Sequence, residues 1–284
     1  MKNNRSTPAG LTDSEIEKFK EDGFLVIDNV FSPEDVQSLI QATQDPAIVE
    51  EIQKRDFENT TIHLLSLAAR HPAFLKLARD PRIINRLKSI IGPDIQLQHS
   101  KLTTKPHTKG KGPFAWHQDF AYFPHTNTDL VAAMVMLDDA TPENGCMQVV
   151  KGNHNLGLRN HMKDGIFMGG CQESELWADP DKIALITPRA GGISLHHCLS
   201  LHGSEANQSG RPRRGIVFQY RADDAYQLAD NIWEDTGLLM CGQYKEQVRC
   251  EPGIFQLPKR HREPPFGNVW HQKGELARRR DYFG

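Results

Sequence analysis

Two side chains of the kind that bind transition metals lie two positions apart near the middle of the chain. They are His117 and Asp119, on either side of Gln118. On a β-strand, residues two positions apart project from the same face, so the imidazole and the carboxylate would point at one place while Gln118 faces away. The pair alone is weak evidence for a metal site, because the chain contains 13 histidines and two ligands hold a metal poorly.

A third ligand is needed, and His202, in the segment Leu199–Ser204, is the best candidate. His196 and His197 are rivals for that place. Two histidines and one carboxylate form the facial triad of non-heme Fe(II) oxygenases, which leaves coordination positions open for substrates. Imidazole and carboxylate also suit zinc, so a zinc-dependent hydrolase or isomerase is an alternative.

An arginine placed shortly after His202 favours the oxygenase over the zinc enzyme. Arg213 lies eleven residues beyond that histidine, at the start of a predicted strand. A guanidinium can bind a carboxylate through two parallel hydrogen bonds, which an ammonium cannot do. Arg213 and Arg214 are adjacent, so only one of them can point inward. We expect it to be Arg213, with the apolar residues of the strand packed on the opposite face.

Several motifs in a fixed order resemble the phytanoyl-CoA dioxygenase family of Fe(II)/2-oxoglutarate oxygenases, which includes ectoine hydroxylase. Each motif is moderately specific, and the ordered set is the stronger signal. The resembling stretches are Phe19–Phe24, Lys105–Pro106, Trp116–Phe120, Leu137–Gly145, Lys151–His154 and His202–Arg213. The chain departs from the family pattern at Lys151–His154, where relatives often have Pro-Gly-Ser-His, and this makes the substrate harder to predict.

The resemblance implies which residues hold the metal and the cosubstrate. It makes His117, Asp119 and His202 the Fe(II) ligands, and Arg213 the group that binds the distal carboxylate of 2-oxoglutarate. The residues that it places around the rest of this cosubstrate are Thr103, Phe114 and Met134. Halogenating relatives replace the carboxylate ligand with a small residue, so the presence of Asp119 favours hydroxylation or a related oxidation.

The resemblance also implies the reaction. 2-Oxoglutarate and O2 would be consumed, succinate and CO2 released, and a small-molecule substrate hydroxylated or otherwise oxidised. Strand alternation puts His99 and Lys101 on the same face as Thr103. Similar positions in the family meet the substrate, so His99, Lys101 and Phe123 are the expected substrate residues. A non-catalytic, cupin-like binding protein, which would not consume O2, is a second alternative.

The elements that must position these residues are predicted to form a single domain, residues 1–284. Its three parts are a mainly helical support (1–92), a jelly-roll core (93–222) and a C-terminal extension (223–284). Helix starts are indicated by the capping box Thr12–Glu15, by Ser32–Pro33 and by Asp80–Pro81. A further helix is predicted over Leu64–Ala78, and residues 44–62 give no clear assignment.

Beyond Gly92, short apolar runs separated by Gly, Pro and Asn predict many short strands. The clearest are Ile95–Thr104, Trp116–Tyr122, Leu130–Leu137, Cys146–Val150, Ile183–Ile186, Gly192–His197 and Gly215–Tyr220. The fold class is therefore mainly β with a helical buttress, around a double-stranded β-helix (jelly-roll, cupin-like) core. Asn144–Gly145 predicts a hairpin turn, and the long segment Leu156–Asp181 is predicted to act as a lid.

Charge and composition argue against several other classes. With 34 Lys+Arg against 36 Asp+Glu, the net charge of −2 provides no basic surface for nucleic acid. No run approaches the roughly 20 apolar residues of a membrane span. The five cysteines are odd in number and form no C-x-x-C pair, and the polar N-terminus does not match a secretory signal. We therefore expect a cytoplasmic protein with a small-molecule partner, and leave open whether it forms a homo-oligomer.

Overall fold

The N-terminal part of the chain is mainly helical. A computed structural model describes residues 9–55, 61–253 and 257. The helices within these ranges are α1 (Asp13–Asp22), α2 (Pro33–Thr43), α3 (Pro46–Arg55), α4 (Leu67–Arg70), α5 (Pro72–Ala78) and α6 (Pro81–Ile91). Thr12 forms the predicted capping box with Glu15, and Ser32 and Asp80 cap α2 and α6 through their side chains.

The rest of the described chain is dominated by short strands. They are β1 (Phe24–Ile27), β2 (Ile62–Leu65), β3 (Ile95–Lys105), β4 (Phe114–His117), β5 (Leu130–Met136), β6 (Met147–Val150), β7 (Met162–Lys163), β8 (Ile166–Phe167), β9 (Ile183–Ile186), β10 (Ile193–His197), β11 (His202–Ser204), β12 (Arg213–Ala222) and β13 (Leu239–Cys241).

These strands form two main antiparallel sheets. The larger sheet has the order β1-β10-β5-β12-β3-β13, and β2 also pairs with β3. The smaller sheet has the order β4-β11-β6-β9, and β7 pairs only with β8. With the helices, this arrangement confirms the predicted jelly-roll core and helical buttress.

The helix predicted over Leu64–Ala78 is wrong at its start. Ile62–Leu65 is strand β2, paired with β3, and two short helices follow it. A four-residue apolar run fits a buried strand and a buried helix equally well, so only the partner strand decides between them. Pro46–Arg55, in the stretch that the sequence left unassigned, forms α3.

The two faces of the larger sheet differ in chemistry, and β12 shows this most clearly. Ile216, Phe218 and Tyr220 are fully buried in the hydrophobic core that includes the helices. Tyr220 Oη donates a hydrogen bond of 2.9 Å to the carbonyl oxygen of Ala78, at the end of α5. The residues of the same strand that line the cavity between the sheets are Arg213, Val217 and Gln219. Strand alternation thus points one set of β12 side chains into the hydrophobic core and the other set into the cavity. Arg213 belongs to the cavity set, as the sequence predicts.

The predicted C-terminal extension, 223–284, takes part in the sheet. Its strand β13 pairs with β3, whose residues Ile95 and Gln96 are the register partners. Beyond residue 253 only residue 257 is described, so the remainder of the extension lies outside the described residues. In the ranges that are described, no helix combines the length and apolar character needed to cross a lipid bilayer.

Candidate metal centre and adjoining cavity

Three buried side chains, His117, Asp119 and His202 (the triad), meet in the space beside the smaller sheet. His117 is the last residue of β4 and pairs with His202, the first residue of β11. Asp119 Oδ1 lies 3.6 Å from His117 Nε2 and 3.9 Å from His202 Nε2. One ligand atom from each residue lies within 4.8 Å of the others, so the triad could hold a metal ion.

Asp119 reaches this point from a turn and not from the continuous strand that the sequence predicts over Trp116–Tyr122. The strand ends at His117, and a short 3-10 helix covers Asp119–Ala121. Gln118, between them, keeps an extended backbone with φ −113° and ψ 131°. The strand-like alternation therefore continues for one more residue, and both ligands still share a face.

The backbone fixes which nitrogen of each triad histidine faces the centre. His117 Nδ1 lies 2.8 Å from the carbonyl oxygen of Ala115, and His202 Nδ1 lies 2.9 Å from that of Ser200. A carbonyl oxygen can only accept, so each Nδ1 carries the hydrogen and donates it. Each Nε2 is left with a lone pair toward Asp119, which is the tautomer that a metal ligand needs.

Burial sets the protonation state of the triad. It lowers the pKa of His202 well below the usual value, and the neighbouring His117 adds to that effect, so the imidazole is neutral. Burial alone would raise the pKa of the Asp119 carboxyl, but His202, His117 and His196 together hold it well below its usual range. Two imidazoles and one carboxylate are a donor set that fits Fe(II) and leaves positions open.

The two rival histidines lie on opposite faces of β10. His196 Nε2 contacts Asp119 Oδ2 at 3.2 Å, so it touches the acid but is not one of the three residues that could hold a metal. His197 packs near Phe19 and His154, with ring centroids 6.4 and 5.3 Å away. Of the three candidates, only His202 is placed with His117 and Asp119.

The triad lines a cavity of about 540 Å³, counting its open mouth. All four residues predicted for the cosubstrate line the same cavity, together with one of the three predicted for the substrate. These are Thr103, Phe114, Met134, Arg213 and Lys101. A second thioether, that of Met147, also lines the wall. Gly215 leaves room for the first thioether, because a Cβ at that glycine would lie 2.5 Å from Met134 Cε.

The inward arginine is nearly sealed from solvent. Arg213 is 4% exposed, and its Nη1 donates to the carbonyl oxygen of Gly145 at 2.6 Å. Gly145 follows Asn144 in a turn and has φ +72°, which glycine adopts without strain. The predicted hairpin is wrong, because β5 before this turn and β6 after it lie in different sheets. Arg213 Nε is buried and has no partner in the described part of the chain, and burial lowers the pKa of the guanidinium to about 10. Its neighbour Arg214 instead forms a two-point ion pair with Asp138.

Lys105 is a second buried cation in the cavity wall, and sequence reasoning missed it as a site residue. It is the cross-strand partner of Arg213, and its Nζ donates to the carbonyl oxygens of Gly112 and Glu205 at 2.5 Å each. Burial, and then the charge of Arg213, lower the pKa of Lys105 to about 7. Continuing the strand alternation beyond Thr103 would have placed Lys105 on the cavity face.

His63 is another cavity residue that the sequence did not indicate. It lies on β2, opposite Thr103 of β3, and its Nδ1 is 3.2 Å from Thr103 Oγ1. Burial lowers the pKa of His63 well below the usual value, and Lys101 is the next largest cause. His63 was missed because its strand was predicted as helix and unassigned chain.

His99 and Phe123, predicted to meet the substrate, are not among the residues that line this cavity. They pack beside it with Trp233, which belongs to the predicted extension. The ring centroid of His99 lies 4.7 Å from that of Trp233 and 5.4 Å from that of Phe123. Burial lowers the pKa of His99 to about 3, so its ring is neutral. Trp233 could not be predicted, because no motif marks it.

Gln118, which faces away from the triad, joins the metal-binding turn to residues 156–181, the cover segment. Its Nε2 donates to the carbonyl oxygen of Gly157 at 3.0 Å, and its Oε1 accepts from the backbone N–H of Arg159 at 2.7 Å. The N–H of Gln118 donates to His161 Nε2 at 3.0 Å. His161 is buried, and burial lowers its pKa to about 4.

Comparisons with known proteins agree on a single family. A family model described as phytanoyl-CoA dioxygenase (PhyH) matches residues 19–215, a range that contains the triad and Arg213. A Stutzerimonas stutzeri protein named "Probable alpha-ketoglutarate-dependent hypophosphite dioxygenase" is 29% identical over 245 residues, which cover 80% of this chain and 81% of the relative. An ectoine dioxygenase of Bordetella parapertussis is 29% identical over 235 residues, covering 75% of this chain and 76% of the relative.

Solved structures share the same architecture. The crystal structure of EctD from S. alaskensis with 2-oxoglutarate and 5-hydroxyectoine matches with a TM-score of 0.63 at 25% identity, covering 89% of each chain. The alpha-ketoglutarate-dependent carbocyclase SnoK from nogalamycin biosynthesis matches with a TM-score of 0.64 at 23% identity. It covers 78% of this chain and 89% of its own, and at that identity the likeness concerns the fold alone.

Proposed function

The chain belongs to the phytanoyl-CoA dioxygenase family, and from this premise we propose that it is an Fe(II)- and 2-oxoglutarate-dependent dioxygenase. It would hydroxylate or otherwise oxidise a small molecule and release succinate and CO2. The observation that carries the proposal is the meeting, in one cavity, of two histidines and a carboxylate with a buried arginine. The names of the relatives and the 2-oxoglutarate in the EctD structure support it.

The triad would hold Fe(II) through Nε2 of His117, Nε2 of His202 and Oδ1 of Asp119. Bound there, ferrous iron would supply the activation of O2 that couples decarboxylation of 2-oxoglutarate to oxidation of the substrate. The protein's part is to hold the three donors, to orient both imidazoles through their backbone hydrogen bonds, and to exclude water.

Arg213 would bind the distal carboxylate of 2-oxoglutarate. Its buried Nε has no partner within residues 9–55, 61–253 and 257, and a carboxylate is the group that a guanidinium binds best. Thr103, Phe114 and Met134 line the cavity and would enclose the cosubstrate. The burial of Arg213 strengthens the charge interaction, because little water remains to screen it.

Lys101, His99 and Phe123 remain our proposal for the substrate side. Lys101 lines the cavity, and His99 packs with Phe123 and Trp233 outside the residues that line it. The relatives are named for ectoine and for hypophosphite, which share little beyond their small size. We therefore propose a small molecule without naming its class.

A succinate-release assay tests the proposed function. Purified protein with Fe(II), ascorbate, O2 and 2-oxoglutarate should release succinate slowly without substrate, and a screen of small molecules should reveal one that accelerates it. His117→Ala should abolish both iron binding and turnover. A protein that is active only with zinc, and without O2, would support the hydrolase or isomerase alternative. A protein that binds metal without any turnover would support the cupin-like binding protein.

We propose that the chain forms one domain. Residues 1–92 act as its helical support, residues 93–222 as its core and residues 223–284 as its C-terminal extension. We also propose a cytoplasmic location and a partner set without nucleic acid or membrane. All five cysteines lie in the described part of the chain as free thiols, which is typical of a reducing compartment.

A further inference from the structure

The two oxygens of Asp119 have different surroundings. Oδ1 faces the Nε2 atoms of His117 and His202. Oδ2 faces the larger sheet, where it accepts hydrogen bonds from Gln219 Nε2 and from His196 Nε2, the latter at 3.2 Å. The carboxylate is 5% exposed, and its two donors on the larger sheet are 1% and 3% exposed, so water does not compete for these bonds.

The two donors come from the sheet that supplies none of the triad. Gln219 lies on β12 and His196 on β10, whereas His117 and His202 lie on strands of the smaller sheet. The hydrogen bonds to Asp119 Oδ2 thus connect the metal-binding turn to the larger sheet, on the other side of the barrel. The orientation of the carboxylate is set by the larger sheet, independently of the two histidine ligands.

Both donors have a second polar atom that is buried and without a partner. Because a carboxylate can only accept, it is the hydrogen on His196 Nε2 that Asp119 accepts. His196 Nδ1 and Gln219 Oε1 are both buried and have no hydrogen-bond partner among the described residues. Buried polar atoms without partners cost stability, so their presence indicates a role other than holding the fold together.

We propose that Gln219 and His196 are positioning residues that restrict Asp119 to coordination through a single oxygen. This inference rests on the proposed metal site. With Oδ2 held by two donors, only Oδ1 is free to bind, so the triad would offer a metal ion three donor atoms in all. If Oδ2 also bound, it would occupy a position that 2-oxoglutarate and O2 together require.

The pair His196→Gln and His196→Asn tests this inference with little risk to the fold. A glutamine amide can place its nitrogen near the position of Nε2, whereas the shorter asparagine amide reaches only the position of Nδ1. We expect His196→Gln to bind Mn(II) within about threefold of the wild type. His196→Asn and Gln219→Leu should bind Mn(II) about 10–100-fold more weakly, or hold it with both Asp119 oxygens.

Calorimetric titration with Mn(II) and crystal structures with Mn(II) and 2-oxoglutarate are the measurements. Gln98→Leu is the matched control, because Gln98 is a fully buried amide on neighbouring β3 that contacts Gln227 and His125 and not Asp119. It should leave Mn(II) affinity and one-oxygen coordination unchanged. Wild-type affinity with one-oxygen coordination in both His196→Asn and Gln219→Leu would overturn the inference, as would a structure with His196 bound to the metal.

The outcome is separable from that of the proposed function. A wild-type protein that releases no succinate from 2-oxoglutarate would defeat the proposed function. The Mn(II) affinities and coordination of the variants would still show whether Gln219 and His196 position Asp119.

Discussion

Arg213 and Lys105 place two buried cations opposite each other on β12 and β3. Their bonding differs, because Lys105 Nζ already donates to two carbonyl oxygens whereas Arg213 Nε has no partner among the residues that the structure describes. We therefore expect Arg213 to make the direct bonds to a dicarboxylate. Lys105 would add mainly to the positive potential at that end of the cavity.

Replacing Arg213 with methionine should raise the KM for 2-oxoglutarate about 100-fold. Two hydrogen bonds to a charged group contribute roughly 1.5 kcal/mol or more each, and about 1.4 kcal/mol corresponds to a factor of ten. The measurement is the KM for 2-oxoglutarate in the succinate assay. Arg214→Met is the control and should stay within about threefold of the wild type, since Arg214 pairs with Asp138. An unchanged KM in Arg213→Met would contradict the assignment.

Lys105 should make the binding of 2-oxoglutarate dependent on pH. Its pKa is about 7, so the ammonium is charged below that pH and neutral above it. The affinity for a dianion should therefore weaken as the pH rises through about 7. Lys105→Arg keeps its charge at all of these pH values and should remove most of this change. The measurement is the KM for 2-oxoglutarate in both proteins between about pH 6 and about pH 8.5. If the KM changed with pH in the same way in both, Lys105 would not have this role.

The residues that belong to short motifs could be predicted from the sequence, and those placed by strand register could not. His117 and Asp119 are two positions apart, and the family resemblance adds His202 and Arg213. Gln219 and His196 reach Asp119 only because β12 and β10 are neighbours of β5 in the larger sheet. The spacing of these residues along the chain does not indicate that their strands are neighbours in the sheet.

Between elements, the contacts of Gln118 link the metal-binding turn to the cover segment. Gln118→Leu removes the hydrogen bonds to Gly157 and Arg159. We expect faster hydrogen exchange and faster proteolysis across the cover segment, because its anchoring backbone groups lose their partners. Gln172→Leu is the control, since the side chain of Gln172 bonds only within the segment, to Gly170.

The same measurement tests the predicted lid. Protection of the cover segment should increase when 2-oxoglutarate and substrate bind, if the segment closes over them. Protection that is equal in the free and bound protein would rule out a lid. Protection that is equal in Gln118→Leu and the wild type would rule out the anchor.

Strands that are long or clearly bounded by turn residues were predictable, including the four-residue β6 and β9, whereas three other short strands were not. β3 and β5 were predicted to within one residue at each end, because their apolar runs are long and clearly bounded. β2, β11 and β13 are three or four residues long and were missed. A short run carries too little periodicity to distinguish helix from strand, so the partner strand determines its structure.

For the molecule as a whole, Asp235 joins three distant parts of the chain. It is fully buried, and its Oδ2 accepts hydrogen bonds from the N–H and the hydroxyl of Ser100 on β3. Ser100 Oγ in turn accepts from the N–H of Ala68 in α4, at 2.7 Å. Two residues earlier, Trp233 packs on His99. This network therefore holds the C-terminal chain against the wall of the site.

The stability of the protein should depend on the protonation of Asp235. Burial raises its pKa from 3.8 to about 6 in the folded state. The folded state therefore binds the proton more tightly, and the resulting stabilisation is lost as the pH rises through about 6. Asp235→Asn stays neutral, so it should gain about 1 kcal/mol relative to the wild type between about pH 5 and about pH 7.5.

Urea unfolding of both proteins at the two pH values measures this difference. Asp181→Asn is the control, because Asp181 is exposed, and its difference from the wild type should not change with pH. A difference between Asp235→Asn and the wild type that is independent of pH would show that the Asp235 carboxyl is not the titrating group.

Met134 and Met147 bring two thioethers into the same chamber as the triad. Thioethers are among the protein groups that oxidants attack first, and their sulfoxides are polar. An enzyme of this class that turns over without its substrate would oxidise the side chains that line its own cavity, and the oxidation would accumulate with each uncoupled turnover. The working lifetime of this protein should therefore depend on how tightly O2 activation is coupled to the presence of substrate. Oxidation of the two methionines would increase with the number of uncoupled turnovers.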